Sequence, residues 1–83
     1  MIVRMWEVRA RPGRVPELVG WVCETALPAV EPDPRHVGTE VFASTDRVVA
    51  ISRWRGEPVP LPDPPAELVD RSPHSWDFTS VDR

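Results

Sequence analysis

The chain holds 83 residues with ten arginines, thirteen acidic residues, no lysine and a net charge of −3, and its basic residues are scattered, so a nucleic-acid partner is not expected. So short a chain lies near the lower limit at which one apolar core offsets chain entropy, and its single cysteine, Cys23, excludes an intrachain disulfide and a cysteine-rich zinc site. One domain over residues 1–83 is expected, with a homodimer supplying further burial, and the lack of tyrosine, asparagine and glutamine removes phenolic acids and amide oxyanion donors from any active site.

From Ile2 to Ala10 the residues alternate as in a strand, with Ile2, Arg4, Trp6, Val8 and Ala10 on one face and Val3, Met5, Glu7 and Arg9 on the other. Large apolar residues on both faces predict a sheet covered on both sides. Arg4, Glu7 and Arg9 also interrupt any apolar run long enough for a signal-peptide core or a membrane span, so a cytoplasmic protein without membrane contact is expected. Pro12-Gly13 marks a turn. Beyond it Val15, Leu18, Val19, Val22, Ala26 and Val30 recur at spacings of three and four. They predict a helix opened by Pro16, bent by Pro28 and ended by Glu31-Pro32-Asp33-Pro34. Trp21 and Leu27 fall off that stripe and predict a second apolar patch facing a neighbouring subunit or loop. Cys23, at the edge of the stripe, reads as a small buried hydrophobe.

Val37 to Ala43 and Val48 to Trp54 are β-rich runs joined by Ser44-Thr45-Asp46-Arg47, a hairpin with a polar turn. Residues 57–65, Glu-Pro-Val-Pro-Leu-Pro-Asp-Pro-Pro, predict an extended strap that crosses the end of the sheet with Val59 and Leu61 turned inward. Pro62 and Pro65 have the PxxP spacing of a ligand for an SH3-like reader, but two predicted strands bracket the run and their pairing would hold its ends. Asp63 as N-cap and Pro64 in the first turn predict about two helical turns before Ser72-Pro73. Residues 74–81 then read as a last strand, with Trp76, Phe78 and Ser80 on one face. The predicted order is β-α-β-β-α-β: an α+β, ferredoxin-like fold with a four-stranded antiparallel sheet, its second helix short and preceded by the Pro-rich strap.

This order, the Pro-Gly turn before the helix and Trp54 closing the third strand in Val-Val-Ala-Ile-Ser-Arg-Trp-Arg-Gly-Glu-Pro resemble the dimeric α+β barrel superfamily, most of all its antibiotic biosynthesis monooxygenase type. The resemblance implies a homodimer in which two ferredoxin-like sheets face each other and each chain covers its partner's open face. It also implies cofactor-independent oxygenation of an aromatic or polyketide-like substrate, with Trp54 matching a tryptophan that oxygenase members carry at this point. Haem-degrading members use an asparagine on the first strand and a histidine on the second helix. This chain has no asparagine, and His74 follows Pro73 at the start of the last strand.

Among single residues, His74 is the candidate catalytic base, since an imidazole beside the indole of Trp76 suits proton abstraction from a substrate whose carbanion then reacts with dioxygen. Trp6, Trp54 and Trp76 are the candidate substrate-binding residues, able to line an aromatic cavity for a small aromatic ligand or to fill a core and dimer interface. Arg53 is a candidate anchor for a substrate oxygen; Arg53 and Arg4 sit in otherwise apolar strands and call for a carboxylate such as Glu7 or Glu40. His36 reads as a solvated loop residue. No spacing places two histidines one helical turn apart, so no metal is expected, and the resemblance to the oxygenases implies no other cofactor. Two functions compete: a cofactor-independent monooxygenase, and a non-catalytic dimeric binding or accessory module.

Overall fold

Alternation along the strands sorts the sheet into two faces with different surroundings. The computed structural model describes residues 1–83. Four strands, β1 (Ile2–Arg9), β2 (His36–Ala43), β3 (Arg47–Trp54) and β4 (His74–Thr79), form one antiparallel sheet in the order β2-β3-β1-β4. This α+β arrangement is compatible with a ferredoxin-like fold but contains one helix of substance. β1 is central, and its Trp6 pairs with Ala50 on one side and Ser75 on the other. On that face Trp6, Val8, Val48 and Ala50 are buried, and they form the core with Leu18, Val22 and Leu27 of the helix. The last strand ends at Thr79, two residues short of its expected limit.

The helix covers residues 15–30 as α1 (Val15–Trp21), a π-helical turn (Val22–Ala26) and α2 (Leu27–Val30), with helical backbone angles at each junction. Pro28 explains the wide turn. It has no N–H, and in a regular helix its ring would meet the Glu24 carbonyl. Instead the N–H of Leu27 donates to the Val22 carbonyl, five residues back, which opens the ladder just before the proline. The extra residue rotates the final turn about the helix axis. Leu27, off the regular stripe, therefore enters the core at 8% exposure, and Trp21 packs against the same cluster. The expected second apolar patch on this helix is thus corrected. Cys23 is corrected too: it lies on the solvent side of the wide turn and is exposed.

The expected second helix is reduced to one 3-10 turn, Ala66–Leu68. A proline at 65 disfavours helical angles at Pro64, and Pro65 is itself extended (φ −55°, ψ 132°), so two helical turns cannot start here. Asp63 makes no capping bond. Leu68 still reaches the core, and the segment is tied to the sheet by an isolated bridge between Ala10 and Val69.

Between Trp54 and this turn runs the strap. Its entry is fixed by Arg55 N–H donating to the Arg35 carbonyl at 2.7 Å, followed by Gly56 at φ 145°. A Cβ at Gly56 would meet only the Arg35 side chain, Cδ at an ordinary 3.5 Å and Cγ at 4.0 Å, so the need for glycine is conformational rather than steric crowding by a neighbour. Gly56→Ala is expected to destabilise the fold by about 1–2 kcal/mol, measured by urea unfolding. An unchanged midpoint would show that the strap relaxes its entry turn freely.

Candidate small-molecule cavity

Where a longer second helix would lie against the sheet, the strap instead spans a space and leaves a cavity of about 170 Å³. Its floor is the helix-side face of the sheet, including Trp6, Ala50 and Trp54. Leu27 and Val30 close it at the end of the helix, and Val59 and Leu61 form the strap wall. The inward alternation of those two strap residues comes from prolines on either side, which hold the chain extended. Polar groups also converge here: Arg4, Thr39, Ser52 and Ser75 from four different strands, with Asp63 from the strap.

Arg4, Thr39, Ser52 and Trp54 are each held by a side-chain hydrogen bond. Arg4 and Asp77 are directly opposite in the β1–β4 register, and the guanidinium donates through Nε at 2.7 Å and Nη2 at 2.9 Å. That bidentate pairing holds the Asp77 carboxyl below its ordinary range and raises Arg4 further. Trp54, 1% exposed, donates its indole N–H to Ser52 Oγ at 2.8 Å. His36 stacks edge-on against Trp54, ring centres 5.1 Å apart, and its Nε2 lies 2.8 Å from Thr39 Oγ1. His36 is therefore the first residue of β2 and half-buried, which corrects its reading as a solvated loop residue. Its position beside Trp54 comes from the β2–β3 pairing and a register shift after His36, neither of which local sequence reveals.

The residues expected to form one site fall on two sides of the sheet. Trp6 and Trp54 line the cavity. Arg53 is next to Trp54 on the same strand, so alternation sends it to the opposite face, where it donates to Glu40 at 2.9 Å. His74 and Trp76 pair with Glu7 and Met5 and share that opposite face. There the two rings meet edge-on, centres 6.0 Å apart, and both residues are exposed. Glu7, 9% exposed, is held by Arg47 at 2.7 Å and Arg71 at 3.5 Å. Of the two expected carboxylate partners, Glu40 serves Arg53, whereas Arg4 takes Asp77, because Arg4 and Glu7 have opposite parity on β1.

Residues that sequence reasoning passed over are Thr39, Ser52 and Ser75. For Thr39 and Ser52 the signal was parity, since each is a small hydroxyl in line with core residues of its own strand; Ser75 had no such signal, because the large side chains of its strand, Trp76 and Phe78, alternate onto the other face. No group of three or more histidine, cysteine, aspartate or glutamate side chains comes together in the structure, and no helix is long and apolar enough to cross a membrane. Compared with family models, curated proteins and solved structures, the chain matches none.

Proposed function

We propose that this is a ferredoxin-like, homodimeric small-molecule-binding protein whose ligand is a single-ring aromatic compound held between Trp6, Trp54 and the proline strap. The observation that carries the reading is the cavity. Its volume of about 170 Å³ compares with the roughly 150 Å³ of an apolar cavity that accepts benzene, and it falls short of the ~300–1,000 Å³ usual for drug-sized ligands. A single ring fits; a fused polyketide does not fit without movement of the strap. Dimerisation is supported by the other face of the sheet, where Val3, Met5, Ile51, Trp76 and Phe78 form neighbouring rows and Trp76 and Phe78 are 44% and 54% exposed.

Two adjacent residues on opposite faces of β4 test the cavity. Ser75 makes no side-chain hydrogen bond and lines it, so Ser75→Leu is expected to fill the space and abolish binding of single-ring compounds, read by tryptophan fluorescence and calorimetry. His74→Ala, one residue away, is expected to leave binding unchanged. The reverse pattern would move the ligand to the open face.

A catalytic reading is favoured by one specific contact, that of His36 with Thr39. The Thr39 hydroxyl lines the cavity and stands within hydrogen-bond distance of a base, so proton transfer from a bound substrate has a route to His36 that it lacks to His74. Oxygen consumption with a bound phenol, lost in His36→Gln and kept in His74→Ala, is the expected result under that reading.

A further inference from the structure

We propose that the Arg4–Asp77 pair sets the charge class of the ligand: the cavity takes a neutral single-ring compound bearing an acceptor oxygen, and rejects aryl carboxylates. The proposal rests on the cavity being the ligand site. An arginine on a cavity wall ordinarily signals an anionic ligand, since its fork matches a carboxylate. Here the fork is already filled. Asp77 takes Nε and Nη2 from a fixed position directly across the sheet. The pair sums to zero charge, and Asp63, the one other ionisable residue of the lining, adds a negative charge.

An entering carboxylate would therefore give up its water without meeting an unpaired cation. It would also compete with a carboxylate tethered in the same chain, whose effective concentration is far higher than that of a free ligand. Neutral acceptors face no such barrier. Nη1 of Arg4 retains two N–H groups that no protein atom accepts, and Ser52, whose oxygen accepts from Trp54, keeps its own proton for donation. These donors suit an amide, carbonyl or phenol oxygen on the ring.

Benzamide and benzoate are nearly the same shape and differ in charge, so they are the probes. The wild-type protein is expected to bind benzamide at least about tenfold more tightly than benzoate by calorimetry. Asp77→Asn keeps the shape and removes the negative charge, and with the fold verified by circular dichroism it is expected to shift the ratio toward benzoate by about tenfold or more. Asp63→Asn, on the exposed strap, is expected to leave benzamide preferred. Equal or tighter binding of benzoate by the wild type overturns the proposal, whatever the fate of the Asp77 variant. So does a folded Asp77→Asn protein with the wild-type ratio, or reversal by Asp63→Asn alone. Rejection of benzamide while other single rings bind also sinks the charge rule and leaves the cavity reading standing; failure of every single-ring compound removes both.

Discussion

The double replacement Trp76→Asp and Phe78→Asp is expected to give a monomer at micromolar concentrations at which the wild type sediments as a dimer. Both side chains stand on the open face, in rows that continue across the sheet through Met5 and Ile51 and through Val3 and Arg53. Their burial against a second copy would remove an apolar surface of the kind that marks interaction sites. Two aspartates within it would each need desolvation without a partner. The charged groups around the patch oppose closure less, because Glu7 already has Arg47 and Arg71, and Arg53 already has Glu40. Since the replaced residues contribute nothing to the helix-side core, circular dichroism should retain its sheet and helix signals. A wild-type chain that sediments as a monomer across the accessible range would remove the paired-sheet proposal itself.

Leu18→Ala is the substitution expected to damage stability most. Leu18 is the one buried residue of α1 and is 0% exposed, so truncation leaves a cavity between the helix and β1 and β3 that these rigid neighbours only partly fill. The loss should be about 3 kcal/mol or more, set against about 4–12 kcal/mol in total for a domain of this length. Guanidinium unfolding followed by far-ultraviolet circular dichroism measures it. If the chain dimerises, the midpoint for both wild type and variant will rise with protein concentration. A loss under about 1 kcal/mol would mean that the helix settles into the space, and would contradict the close packing assigned to it.

How much of this was legible in the sequence depends on the range of the interaction. The alternation of β1, the hairpin of β2 and β3 and the stripe through Leu18, Val22 and Ala26 are local patterns, and they fold as they read. Pro64-Pro65 is also a readable signal: a proline that precedes a proline argues against a helix start, and in the folded chain it outweighs the helical signal of Asp63 and Pro64. Similarly, Arg53 and Trp54 are neighbours on one strand, and parity alone bars both from one pocket. Other features are absent from the chain order. Which face of β4 meets the cavity depends on its register against β1, which places Ser75 beside Trp6 and leaves His74 with Glu7. The wide turn that brings Leu27 inward depends on how the helix resolves Pro28 against its own backbone and the sheet below.

The strap has a consequence for how the cavity is entered. From residue 57 to residue 64 no backbone hydrogen bond is donated or accepted, although Pro58 and Pro64 are buried and Val59 and Leu61 half-buried. The wall is thus held without a hydrogen-bond ladder, chiefly by the apolar contacts of its prolines, Val59 and Leu61. Peeling it away breaks no ladder and costs only the packing of Leu61 and the buried prolines against the helix and sheet, so ligand entry requires less than global unfolding. Such opening would also be almost silent to amide exchange. Only Glu57, Val59, Leu61 and Asp63 carry exchangeable backbone protons in that stretch, and none of them is engaged in a backbone hydrogen bond when the wall is shut. The movement would have to be followed through the methyl groups of Val59 and Leu61, which change surroundings from indole and helix to water.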